Sequence, residues 1–293
     1  MLSEILINVS HCVAFLMIAL TLLWGLSLAI KDASIIDIFW GAGFGFVALV
    51  CWFLSPVKTP YLTLLAVIVW AWSLRLTTYL AWRNIPHGED SRYIAMRKRA
   101  EKKGMSETAW RVRALFSIYF GQGFLIMIVS APVWVAMATG TSTEFFRSEP
   151  VGNAINATQF TTHLNWLPVI GTLLWLIGFL FEAIGDRQLA RFKAKHKDYI
   201  GSKENKPILD SGLWKYTRHP NYFGNACIWW GIWIVACQAP WGWVTIFAPI
   251  IMTILLTRVS GRDLLEREMK KRPAYRDYIE RTSDFFPLPP KKG

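Results

Sequence analysis

Gly212-Leu-Trp-Lys-Tyr-Thr-Arg-His-Pro-Asn-Tyr-Phe-Gly-Asn225 runs without interruption into Ala226-Cys-Ile-Trp-Trp-Gly-Ile-Trp-Ile-Val-Ala236. A polar, cation-bearing turn therefore empties into an apolar helix of bilayer length. Pro220 has no backbone donor, so it suits the first turn of that helix, where the donor would have no intrahelical partner. Arg218 and His219 then fall at the membrane surface, beside the positive end of the helix dipole. Free amides, a dipole and a guanidinium together make a phosphate site. A membrane helix with a basic flank, which topology supplies by itself, accounts for the same string.

Outward from this stretch the chain repeats the pattern. Of its 293 residues 53% are hydrophobic, and apolar runs recur at roughly 8–30, 35–55, 61–82, 114–138, 166–186, 219–238 and 242–260. Each approaches the ~20 residues needed to cross a bilayer, so the expected fold is an all-α polytopic membrane bundle of about seven helices. The net charge of +12 obeys topology and gives no signal for nucleic acid. All Lys and Arg except Lys58, Arg75 and Arg147 are Lys31 or fall in 83–113, 187–218 and beyond 257, on one side of a seven-helix chain. The positive-inside rule then puts the N-terminus outside and the C-terminus in the cytoplasm. The first run lacks a basic leader and reads as a retained helix. Cys12, Cys51, Cys227 and Cys237 lie within or at the ends of apolar runs, with no CxxC pair and no His at ligand spacing. They read as small packing residues, with no disulfide framework and no metal site.

Ionisable residues inside apolar runs are costly and mark function. Asp37, one turn into the second run, is the only carboxylate within the first four runs. Its plain alternative is an interfacial group that caps the helix or faces water. In the third run Trp72, Arg75, Tyr79 and Trp82 recur at spacings of three, four and three, and so share one helical face. A buried arginine needs a partner, and Asp37 near the same membrane side is the expected one; snorkelling to the headgroups is the alternative. Ser34 is placed to cap the second helix, and Gly41, Gly43 and Gly45 give that helix a narrow face for close packing. The basic loop 83–113 contains Glu89-Asp90-Ser91-Arg92-Tyr93, a cluster denser than lipid contact requires and able to close over a cofactor. Glu182, Asp186 and Lys193 share a face of the fifth helix. Those carboxylates suit ribose or amide hydrogens, or else surface pairing with Arg187 or Arg191. The tail after the seventh helix, with Tyr275-Arg-Asp-Tyr278 and Phe285-Phe-Pro-Leu-Pro-Pro290, is expected to lie on the membrane surface over the ends of helices 5 to 7.

Gly212 to Gly224, with Phe181-Glu-Ala-Ile-Gly-Asp186 upstream and the Glu-rich tail downstream, resembles the C-terminal domain of the steroid 5α-reductase superfamily, in particular its bacterial branch labelled DUF1295. The resemblance covers nearly the whole chain. Its Arg-His-Pro-x-Tyr core is also similar to that of isoprenylcysteine carboxyl methyltransferases, so it implies a membrane architecture and leaves the cofactor open. Taken with the reductases, it implies a lipid or steroid cavity in residues 1–138, an outer loop over 139–165 and an NADPH-binding domain in 166–293. By position, Glu182, Asp186, Lys193, Asn221, Asn225, Arg258, Arg262 and Glu266 become cofactor contacts, and Arg218, His219 and Tyr222 belong to the shared core. Asn225 stands where the 5α-reductases usually carry Glu. Their ketone-polarising Gln-Glu pair is absent, so Asp37 with Tyr79 or Tyr93 has to substitute, supported by Arg75.

The implied activity is NADPH-dependent reduction of an activated carbon–carbon double bond in an apolar, steroid-like or lipid substrate within a bacterial inner membrane. The alternatives are an S-adenosylmethionine-dependent methyltransferase of a lipid or prenylated thiol, and a non-catalytic lipid-binding protein. The nine cations from Arg187 to Arg218 suit the 2′-phosphate and pyrophosphate of NADPH, although topology supplies them too.

Overall fold

The computed structural model describes residues 2–140, 166–202, 206–259, 266 and 269–291. Among these residues the chain is helical, with no strand beyond a single bridge between Thr217 and Ser283. The helices are α1 (Leu2–Ile30), α2 (Ile35–Leu54), α3 (Pro60–Asn84), α4 (Ser91–Lys102), α5 (Glu107–Ala114), α6 (Gly121–Val129), α7 (Ala131–Thr139), α8 (Trp166–Lys195), α9 (Pro220–Ala236), α10 (Phe247–Ile254) and α11 (Pro273–Arg281). A π-helical stretch, Leu115–Phe120, joins α5 to α6 in one continuous rod.

Six segments are long and apolar enough to cross a membrane: Ile5–Ile30, Ile35–Leu54, Pro60–His87, Glu107–Val129, Trp166–Lys195 and Gly242–Val259. The chain is thus a polytopic α-helical membrane protein. The remaining apolar run forms α9, which at 17 residues is about 26 Å long, slightly under a typical hydrocarbon core. The fourth span differs from the expected 114–138. It starts at Glu107, where Ser106 caps it, and stops at Val129. There the Ser130 hydroxyl donates to the Ile126 carbonyl, and Pro132 opens a separate short helix. Most of the expected outer loop, residues 141–165, lies outside the described residues.

The chain divides into two compact units, one of residues 1–168 and 235–245, the other of 169–234 and 246–293. In the first, α2 and α3 pack almost backbone to backbone. A methyl group on Gly41 would meet Thr77 at 2.8 Å, and one on Gly45 would meet Ser73 at 2.3 Å. That closeness lets Ser73 Oγ donate to the Gly41 carbonyl at 2.7 Å and Trp70 Nε1 to the Gly45 carbonyl at 3.2 Å. Small residues at such positions replace the hydrophobic drive that lipid removes. Trp72 and Phe44, both fully buried, fill the seam beside them.

The second unit repeats the device on α8 and α9, which run antiparallel. Gly171 opposes Gly231, Gly178 opposes Gly224, and Gly185 opposes Pro220 and Asn221. The glycines recur every seven residues on each helix, so one stripe of each backbone faces the other. This approach brings Glu182 and Asp186 of α8 within hydrogen-bond reach of Asn225 and Asn221 of α9.

The candidate functional site

Two polar clusters stand out, one in each unit. In the first, the segment before α4 folds back onto the turn between α1 and α2. Glu89 Oε1 accepts from the Ala33 amide at 3.0 Å, and the Ser34 hydroxyl accepts from the Asp90 amide at 3.1 Å. Ser34 also donates to Asp32 at 2.6 Å. It therefore makes no side-chain cap on α2, contrary to expectation, because its hydroxyl is consumed by this clamp. Glu89 is further paired with Arg97. The dense acidic and basic string thus ties the loop to the helical turn.

The clamp delivers α4 to Asp37. Tyr93 Oη donates to Asp37 Oδ1 at 2.6 Å, and Arg92 Nη2 donates to Oδ2 at 2.6 Å. Gln122 on α6 donates to the Tyr93 oxygen at 3.3 Å. The expected Asp37–Arg75 pair is overturned. Asp37 sits in the first turn of α2 and faces the loop helix, whereas the Arg75 guanidinium lies 5.5 Å from the centre of the Tyr79 ring. Arg83 approaches that ring at the same distance, and Trp82, expected on the shared face, is mostly exposed. Tyr93 rather than Tyr79 is therefore the phenol that meets the carboxylate. Burial, with the Asp37 charge beside it, pushes the Tyr93 pKa well above its usual range, so the phenol keeps its proton at neutral pH.

In the second unit the α8–α9 seam holds two matched pairs. Asn225 Nδ2 donates to Glu182 Oε1 at 3.1 Å, and Asn221 Nδ2 donates to Asp186 Oδ1 at 3.1 Å. Glu182, Asp186 and Asn225 are all buried. The fourth atom of the upper pair, Asn225 Oδ1, is buried without a hydrogen-bond donor. An orphaned buried acceptor is expensive and fits a ligand N–H or O–H.

Arg218, His219 and Glu266 form a separate knot at the start of α9. Arg218 Nε and His219 Nε2 both meet Glu266 Oε1, at 2.8 and 3.1 Å. Arg218 Nη1 donates to the carbonyls of Thr282 at 2.7 Å and Ile279 at 3.3 Å. Its backbone amide donates to Ser283 at 2.9 Å, and the Thr217 hydroxyl donates to the Phe285 carbonyl at 2.8 Å. The tail is thus laced onto residues 214–219, with Tyr278 donating to the Trp214 carbonyl. Burial alone would raise the Glu266 carboxyl; the His219 and Arg218 hydrogen bonds hold it down at about 2. His219 stacks on Tyr222 with ring centres 5.4 Å apart.

The structure separates residues that the sequence grouped. Glu182, Asp186, Asn221 and Asn225 come together, whereas the Arg218 guanidinium, expected at a phosphate, is committed to Glu266 and backbone carbonyls. Lys193 and Arg258 are exposed, and Arg262 lies outside the described residues. The sequence reading places Arg92 in the Glu89–Tyr93 cluster without pairing it to Asp37, and assigns Gln122 no role. The available signals were the position of Arg92 beside Tyr93 and the presence of one amide, Gln122, in an otherwise apolar run.

These features define a multi-pass membrane protein with ionisable residues buried in its helix seams and held by its helix-flanking segments. The chain belongs to the family described as protein of unknown function DUF1295, which matches residues 23–282. It is also similar to the uncharacterized protein C594.04c of Schizosaccharomyces pombe (strain 972 / ATCC 24843), with 23% identity over 285 residues, covering 90% of this chain and 75% of that protein. No solved structure matches the chain.

Proposed function

We propose that this chain is an integral-membrane, NADPH-dependent reductase of an activated carbon–carbon double bond in an apolar substrate, steroid-like or lipid. The observation that carries the reading is the Tyr93–Asp37 pair: a buried phenol, its pKa pushed above the usual range, that donates to a carboxylate. Reduction of an enone needs a proton source at the carbonyl oxygen, whereas methyl transfer to a thiol or lipid needs none there.

The α8–α9 seam supports a dinucleotide. Asn225 Oδ1 suits a carboxamide N–H, and the Glu182 and Asp186 carboxylates suit ribose hydroxyls. Arg218 is held by Glu266 and backbone carbonyls, so the phosphates of a bound dinucleotide would fall to Lys193, Arg258 and Arg262. NADPH, when bound, would supply hydride. Within the first unit, Tyr93 would turn its one proton from Asp37 to a substrate carbonyl oxygen as charge develops there. Arg92 keeps the Asp37 carboxylate compensated meanwhile, and Gln122 holds the phenol oxygen in place. Return to the ketone puts a proton on the α-carbon, so each turnover consumes one NADPH and one proton.

The test is calorimetric titration of detergent-purified protein with NADPH and with S-adenosylmethionine, using Asn225→Leu as the site variant and a folded elution profile as control. Micromolar NADPH binding that Asn225→Leu abolishes supports the reading. Selective S-adenosylmethionine binding replaces it with methyl transfer, and binding of neither ends the enzyme reading.

A further inference from the structure

Cys12 and Cys51 are separated by 39 residues, yet their sulfur atoms lie 2.9 Å apart, closer than unbonded sulfurs pack. Both side chains are buried, at 1% and 0% exposure, in the α1–α2 seam. A further shift of about 0.9 Å brings the sulfurs to bonding distance. The two residues also lie at matched depth. Cys12 precedes the end of α1 by 18 residues and Cys51 follows the start of α2 by 16, about 27 and 24 Å along the respective helices.

That depth places the pair at the end of the hairpin remote from Lys31. The basic segment 83–113 shares the Lys31 side, because Glu89 and Asp90 bond directly to the 33–34 turn. Under the positive-inside rule the Lys31 side is cytoplasmic, so the cysteines lie toward the opposite compartment, where disulfides form and persist.

We propose that Cys12 and Cys51 are a disulfide site, which joins α1 to α2 covalently near the non-cytoplasmic face. Two S–H bonds break and one S–S bond forms. The two protons and two electrons pass to the disulfide of a thiol oxidoreductase, which becomes a dithiol. Full burial of both sulfurs requires this exchange to occur before α1 closes on α2, and the closed seam then shields the bond from reductants. Cys227 and Cys237 lie in different helical surroundings, have no such neighbour and remain thiols.

The experiment traps thiols in intact cells by acid quenching, then tags the denatured full-length chain with a maleimide polymer before and after reduction. Two tags without reductant and four with it are expected, together with a non-reduced tryptic species joining the Cys12 and Cys51 peptides by mass spectrometry. Cys51→Ala should give three tags in either condition. Four tags on the trapped wild-type chain without reductant, with no joined peptide, would overturn the proposal.

Discussion

Tyr93 and Asp37, 56 residues apart, meet at 2.6 Å through a phenol that donates to a carboxylate. The contact exists because the Glu89–Asp90 segment is bonded to the 33–34 turn, which fixes the first turn of α4 against the first turn of α2. A loop helix thereby brings a phenol O–H to a carboxylate on a membrane helix.

Removing that proton should separate chemistry from folding. Tyr93→Phe keeps the ring in its buried place and deletes two hydrogen bonds, to Asp37 and from Gln122, each worth about 1 kcal/mol. We expect a thermal midpoint within a few degrees of wild type and a loss of enone reduction of roughly 10²- to 10³-fold. Equal activity of the two proteins, read from NADPH oxidation in the presence of substrate, would remove Tyr93 from the mechanism.

Arg218 and Glu266 should behave as a structural pair. Arg218→Ala leaves Glu266 buried without its principal cation and is expected to destabilise the second unit by about 3–5 kcal/mol. The readout is limited proteolysis: the wild-type tail should resist cleavage between 269 and 291, and the variant should be cut there first. The double variant Arg218→Leu/Glu266→Leu should recover part of the loss, because no buried charge is then stranded.

The same knot predicts an acid limit. The Glu266 carboxyl titrates at about 2 in the folded protein, below its ordinary value of 4.5. A depressed carboxyl contributes its stability fully above the ordinary value and loses it as pH falls through the depressed one. Tail protection should therefore be complete above pH 4.5 and decline progressively toward pH 2. In His219→Phe, which removes one of the two partners whose hydrogen bonds hold the carboxyl down, the decline should be smaller in total and end at a higher pH. An unchanged profile would argue against the assigned cause.

Glycine substitutions should sort by packing. A methyl group on Gly224 would meet the Glu182 backbone nitrogen and the Gly178 carbonyl at 2.5 Å, whereas one on Gly25 meets nothing within 4 Å. Backbone cannot retreat as a side-chain tip can, so Gly224→Ala should cost about 1–3 kcal/mol and Gly25→Ala almost nothing. Thermal unfolding in detergent, followed by tryptophan fluorescence, distinguishes them. The Gly224 change should also lower NADPH affinity, because it parts the seam that holds Glu182 and Asn225.

Much of the architecture was legible in one dimension. A bilayer admits only backbone that satisfies its own hydrogen bonds, so long apolar runs had to be helices. Pro220 marked the start of α9 and Gly41 and Gly45 marked a close-packed face. In the second unit the helical spacing of Glu182 and Asp186 put both carboxylates on one face, while Asn221 and Asn225 were expected there only from the family resemblance.

Partner choice was not legible, because it depends on how loops return. Asp37 and Arg75 share a membrane side, but no local rule distinguishes that arginine from Arg92, which a loop of fixed conformation carries to the carboxylate. Arg218 has the sequence setting of an anion site and the tertiary setting of a strap, since the tail that occupies its donors lies 48–64 residues away. Cys12 and Cys51 each read as packing residues and become a pair only when α1 closes on α2. The sequence by itself determined the helices, their apolar faces and where ionisable groups could reside, because hydropathy and helical periodicity act over a few turns. Which of those groups face one another was decided by tertiary structure, because a hydrogen bond requires coincidence within about 3 Å and only the closed fold sets distances that finely.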